Sequence, residues 1–163
     1  MSIFDFAKKL FSRPKDPTQD WPESTITALS PINLHDFSIG EFRFNDGVEK
    51  CRFLGRCTKF ELIGEGNFDL FYEKIGVHLE FEQGKFYFFG FIPGDGGSLQ
   101  VQSDLVLTSN TTTEEVKKAL GAPRDEDADE DEIVLYYRIG ETELEFELTA
   151  QGRLERFNIY LDD

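Results

Sequence analysis

The last third of this chain repeats its middle third. Leu54-Gly55 is answered by Leu120-Gly121, and Phe71-Tyr72-Glu73-Lys74-Ile75-Gly76 by Leu135-Tyr136-Tyr137-Arg138-Ile139-Gly140. Leu79-Glu80-Phe81-Glu82 returns as Leu144-Glu145-Phe146-Glu147, and Gln83-Gly84-Lys85-Phe86 as Gln151-Gly152-Arg153-Leu154. Two copies of one pattern must bury the same apolar positions, so they predict two similar structural units. Residues that carry function are then expected where the copies differ.

Turn and cap residues divide the chain. Ile3, Phe4, Ala7, Leu10 and Phe11 fall at helical spacing, which predicts an amphipathic basic helix over residues 1–15 that Pro14 stops. Residues 16–32 read as a polar linker, 33–93 as the first repeat, 94–98 as a Gly-rich hinge and 99–163 as the second repeat. In the first repeat, 34–44 reads as extended. A short helix follows Asn45-Asp46-Gly47 and ends at Leu54-Gly55, before strands near 67–74, 77–82 and 86–92. In the second, Leu99–Leu107 suggests an interrupted strand. Thr111-Thr112-Thr113-Glu114-Glu115 starts a helix with a Thr cap answered by Glu, and Gly121 with Pro123 ends it. Strands are expected near 133–138, 143–148 and 154–161. The fold class predicted is α+β: two tandem repeats, each a short helix plus an antiparallel β-meander, behind an N-terminal amphipathic helix.

Thr112-Thr113-Glu114-Glu115-Val116, then Leu120-Gly121-Ala122-Pro123, a Tyr-bearing strand, Phe146 and Gly152-Arg153-Leu154 resemble the small outer-membrane lipoprotein domain of the BamE (SmpA/OmlA) type. Two such units in tandem resemble the β-lactamase inhibitory protein family, whose fold is a pair of helix-plus-sheet repeats. The likeness spans roughly residues 33–163 and implies a binding scaffold without chemistry of its own. The sequence has no lipobox cysteine, so the envelope role of the BamE type does not carry over.

Charge narrows the partners. The net charge is −15, with 32 acidic against 17 basic residues, which disfavours binding to nucleic acid through phosphate neutralisation. Lys8, Lys9, Arg13 and Lys15 against Asp5 give residues 1–15 a net +3, so the remainder carries −18. A basic protein partner suits such a body, and Phe4, Lys8, Lys9 and Phe11 are the candidates for weak peripheral contact with an anionic membrane. The apolar positions near the start are too interrupted for a secretory signal, and the two cysteines are too few for a disulfide framework; both point to the cytoplasm of a bacterial-type cell.

The hairpins predict which side chains share a face. With Gln83-Gly84 as a two-residue loop, Glu82 faces Lys85, Phe81 faces Phe86 and Leu79 faces Phe88. Val77, Leu79, Phe81, Phe86, Phe88 and Ile92 then point inward, while His78, Glu80, Glu82, Lys85, Tyr87, Phe89 and Phe91 point outward. In the second repeat, Leu148-Thr149-Ala150 lengthens the turn. Leu144, Phe146, Phe157, Ile159 and Leu161 point inward there, and Glu143, Glu145, Glu147, Arg156, Asn158 and Tyr160 outward. Aromatics among charges form a protein-binding surface, so Tyr87, Phe89, Phe91, His78, Glu80 and Glu82 are the partner-binding candidates. Burial of these aromatics against the other repeat is the competing expectation.

Signals for chemistry are weak. The acidic run Asp125–Glu132 lacks the central Gly of a calcium loop and reads as a disordered, solvated loop. Cys51, Cys57, His35 and His78 match no zinc spacing, so neither metal nor cofactor is expected. Glu80 and Glu82, like Glu145 and Glu147, are same-face carboxylates about 7 Å apart along a strand, an ordinary pattern for a solvated face. No phosphate loop, nucleophile elbow or dinucleotide fingerprint is present. The sequence therefore predicts a non-enzymatic protein-binding module of inhibitor-like or immunity-like character. A peripheral membrane adaptor, and a hydrolase or small-ligand protein using an inter-repeat cleft, are the alternatives.

Overall fold

The structure is a computed structural model that describes residues 15–94 and 96–161. The predicted helix over residues 1–15, with Phe4, Lys8, Lys9 and Phe11, lies outside the described residues. Twelve strands dominate the rest. A small hairpin, β1 (Ser38–Ile39) and β2 (Phe42–Arg43), precedes a 3-10 segment, η1 (Val48–Leu54). Four strands follow: β3 (Lys59–Gly64), β4 (Asn67–Tyr72), β5 (Val77–Glu82) and β6 (Lys85–Phe91). A second hairpin, β7 (Leu99–Gln102) and β8 (Leu105–Leu107), leads to the helix α1 (Thr113–Leu120). Strands β9 (Asp125–Ala128), β10 (Glu132–Ile139), β11 (Thr142–Thr149) and β12 (Leu154–Leu161) complete the order.

The eight strands β3–β6 and β9–β12 form one antiparallel sheet in the order β3-β4-β5-β6-β12-β11-β10-β9. The last strand of each meander would otherwise be a bare edge, and the two edges satisfy one another by pairing. This overturns the α+β expectation of two helix-plus-meander repeats. The chain is mostly β, its meanders have four strands each and merge into a single sheet, and the described helix content is α1 with two short 3-10 segments.

The sequence near residue 50 explains why the first expected α-helix is not one. Gly47 supplies no side-chain cap, and the seven-residue stretch Val48–Leu54 closes with the tighter 3-10 pattern. Thr112, in contrast, forms a full capping box with Glu115: the Thr112 Oγ1 accepts from the Glu115 N–H at 3.2 Å, and Glu115 Oε2 accepts from the Thr112 N–H at 2.8 Å. The two extra strands are β3, whose Lys59-Phe60-Glu61-Leu62 alternates polar and apolar residues, and β9. β9 lies in the acidic run expected to be disordered. Pairing with β10 orders it, and Asp129 Oδ1 closes the following turn by accepting from the backbone N–H of Asp131 and Glu132. The charge is well placed there, because an acidic edge strand resists pairing with another chain.

One face of the sheet is packed. Leu70, Tyr72, Leu79, Phe81, Phe86, Phe89 and Phe91 from one meander join Leu135, Tyr137, Leu144, Phe146, Phe157 and Ile159 from the other. Trp21, Leu34, Phe37, Phe42, Leu54, Leu107 and Val116 close over them from the hairpins, η1, α1 and the leading segment. Phe37 sits centrally, its ring 4.7 Å from Phe44 and 5.2 Å from both Phe86 and Phe89. The leading segment also crosses to the second half: Ile32 donates to the Gln100 carbonyl, and Glu141 donates to that of His35.

Candidate functional site

Because side chains alternate along a strand, burying one face of the sheet leaves the other to solvent and partners. The register places its side chains in transverse rows. One row runs Lys59, Phe71, His78, Gly90, Asn158, Glu145, Tyr136 and Asp125 from β3 to β9. The next runs Glu61, Asp69, Glu80, Phe88, Tyr160, Glu143 and Arg138.

The structure redistributes the residues expected on this face. Tyr87 is exposed, but Phe89 and Phe91 are fully buried in the core and Phe88 points out in their place. The cause is a β-bulge. Glu82 pairs with Lys85 and Phe81 with Phe86 as the two-residue turn requires, but Glu80 then pairs with Phe88, so the phase of β6 slips by one residue. Ile92, expected inside, is exposed. Glu82 stays at the hairpin end opposite Lys85. The second meander follows its expected parity: Leu144 faces Ile159 and Phe146 faces Phe157 inside, while Glu143, Glu145 and Glu147 face out.

His78 and Glu80 do come together, joined by Asp69, which the sequence reading did not single out. The three ligand-type atoms lie within 4.8 Å of one another. His78 Nε2 stands 3.5 Å from Asp69 Oδ2 and 3.6 Å from Glu80 Oε1, is enclosed, and has no hydrogen-bond partner. The imidazole is held by stacking on Phe71, with centroids 4.3 Å apart and planes 10° from parallel, and by the edge of Phe88. Tyr87 donates its hydroxyl proton to Glu80 Oε2 at 2.5 Å, which turns Oε1 toward His78. Desolvation, and next the neighbouring Glu80 charge, push the Asp69 carboxyl above its ordinary value, against an opposing pull from His78. Burial raises the Tyr87 phenol, and its bond to Glu80 adds to the shift.

Gly90 forms the floor between this cluster and the second meander. A side chain there would sit 3.2 Å from Phe88 and 3.5 Å from both Asn158 Oδ1 and the His78 Cβ, so glycine keeps a cleft of about 210 Å³ open at the join. Across it, Asn158 donates to Glu145 Oε1 at 2.8 Å and to Glu147 Oε1 at 3.0 Å. Burial raises the Glu147 carboxyl, Arg156 opposes the shift, and Glu145 adds to it. Asn158 Oδ1 is enclosed without a partner. The alternation Asp69-Leu70-Phe71-Tyr72 was the available sequence signal for this neighbourhood. Asn158 was placed on the outer face, but nothing marked it as a partner of two glutamates.

No protein-family model matches the chain, and no curated protein matches it. Among solved structures it is similar to a DUF4309 family protein, YjgB, from Bacillus subtilis subsp. subtilis str. 168, with a TM-score of 0.48 and 18% identity over 72% of this chain and 78% of that one. At that score the likeness has no weight for fold or function. The BamE-type resemblance stands as an expectation on its sequence motifs. No helix among the described residues is long and apolar enough to cross a membrane.

Proposed function

We propose that the chain is a non-enzymatic protein-binding module whose open sheet face engages a partner with a basic surface. The observation that carries the reading is the make-up of that face. Asp69 and Glu80 in one half and Glu143, Glu145 and Glu147 in the other surround Phe71, Phe88, Tyr136 and Tyr160, and β9 adds the exposed Asp125 and Asp127. Lys59, Lys85, Arg138 and Arg156 are its basic residues among the paired positions of these strands. Aromatic area bordered by one sign of charge favours complementary protein surfaces and speeds their encounter. A small acidic chain with one broad recognition face fits an inhibitor-like or immunity-like role.

The test is quantitative capture of proteins from native lysate by the full chain and by two variants. Tyr136→Ser/Asp127→Lys alters the open face at half-buried and exposed positions, whereas Asp104→Lys alters the turn between β7 and β8. The expected result is a specific, basic protein held by wild type and Asp104→Lys and lost at least tenfold from the open-face variant. Equal capture by all three, or no specific protein, overturns the reading.

A further inference from the structure

We propose that Asp69, His78 and Glu80 form a binding site for a divalent transition-metal ion of the zinc type. Three donors held about 2.0–2.1 Å from one zinc ion at tetrahedral angles stand about 3.4 Å apart. The two nitrogen–oxygen separations of 3.5 Å and 3.6 Å lie close to that spacing. An imidazole with two carboxylates is a donor set suited to zinc and its neighbours, whereas calcium and magnesium prefer oxygen alone.

Three features argue for a site over a chance surface cluster. His78 Nε2 is enclosed without a hydrogen bond, so a buried nitrogen is aimed at two carboxylate oxygens and paired with neither in good geometry. The ring cannot readily turn away, being stacked on Phe71 and flanked by Phe88. Tyr87 anchors the second oxygen of Glu80, the outer-shell contact that orients a metal-binding carboxylate. Two carboxylates converge on partly desolvated ground, and a divalent cation offsets their repulsion more fully than one imidazolium does. A cleft of about 190 Å³ bordered by Asn67, Asp69, Glu80 and Tyr87 leaves room for a fourth, water-derived ligand.

The experiment is calorimetric titration of the full chain with zinc chloride, together with nitrogen-detected NMR of the histidines. It requires no protein partner, so its outcome is separate from that of the open-face reading. One saturable equivalent per chain is expected, with a zinc-dependent shift of the His78 Nε2 resonance. His78→Ala and the near-isosteric Asp69→Asn should each weaken binding at least tenfold while remaining folded by circular dichroism, and Tyr87→Phe should weaken it about tenfold. Glu130→Gln/Asp131→Asn in the acidic turn and Cys57→Ser should leave it unchanged. Absence of a saturable equivalent overturns the site. So does undiminished binding by both His78→Ala and Asp69→Asn, or an equal loss in the acidic-turn or Cys57 variant.

Discussion

The two halves of the molecule use the same scaffold and finish it differently. In each, a helical segment ends at a glycine whose carbonyl accepts from a buried tyrosine: Tyr72 to Gly55 and Tyr137 to Gly121, both at 3.1 Å. In each, the start of that segment docks beside a hairpin turn, through bridges between Gly47 and Lys85 and between Thr112 and Arg153. Each half also carries a one-residue bulge in its last strand, and the halves diverge in the side chains at equivalent outer-face positions. The bulge in β6 sets Tyr87 between the partners of Phe81 and Glu80 and turns Phe88 outward and Phe89 inward, and the bulge in β12 sets Glu155 between the partners of Leu148 and Glu147 in the same way. One extra residue before the end of a strand decides which aromatic is core and which is surface. The first half has His78, Glu80, Tyr87 and Phe88 where the second has Glu145, Glu147, Glu155 and Arg156, and so holds a histidine–carboxylate–tyrosine cluster in an aromatic setting. The second keeps a conventional acidic face.

The largest expected effect tests that shift of phase. Phe89→Ala should destabilise the fold by about 3–5 kcal/mol, as removal of a fully buried ring does. Tyr87→Phe, one bulge position away, should cost only about 0.5–1.5 kcal/mol by losing its bond to Glu80. Urea denaturation measures both, and a similar cost for the two would break the assigned register.

A smaller effect separates the equivalent helix-ending glycines. Gly55 and Gly121 both have positive φ, +74° and +85°, in a region that side chains strain to occupy by about 1–3 kcal/mol. An added Cβ at Gly55 would lie 2.8 Å from the Ser24 Cα and 3.0 Å from the Pro22 carbonyl oxygen, whereas at Gly121 nothing lies within 4 Å. Gly55→Ala should therefore exceed Gly121→Ala by at least about 1 kcal/mol in thermal or urea unfolding. Equal costs would show that the leading segment does not press on η1.

The smallest effect concerns the caps. Thr112→Ala should cost about 1 kcal/mol, with the loss appearing in the melting temperature. Bonding to Thr112, first its backbone N–H, holds the Glu115 carboxyl below its ordinary value of 4.5. A depressed acid stabilises the fold above its unfolded value and loses that contribution as pH falls through its folded value. The stability gap between wild type and Thr112→Ala should thus be widest above pH 4.5 and narrow on acidification, as followed by denaturation at several pH values. A gap that widened with acid would contradict the capping box.

Much of the local structure was legible residue by residue. The Thr112 cap, the Gln83-Gly84 turn, and the inward Leu144 and Phe146 follow from backbone geometry, side-chain bonding and period-two alternation, all short-range effects. The sequence repeat sets Tyr72 against Tyr136, but the bond to the glycine carbonyl shows that Tyr137 is its counterpart, while Tyr136 faces outward. The site was half legible. His78 and Glu80 shared a face by alternation, but Asp69 joined them only through the pairing of β4 with β5.

The amino-acid order by itself determined the turns, the helix cap, the acid surplus and most of the strand phases, because each depends on residues a few positions apart. Tertiary structure decided the rest. It fused the meanders into one sheet through β6 and β12, ordered the acidic run as β9, slipped the phase of β6, and gathered Asp69 to His78. Each of these depends on hydrogen bonds and burial between distant segments, whose balance local propensity does not contain.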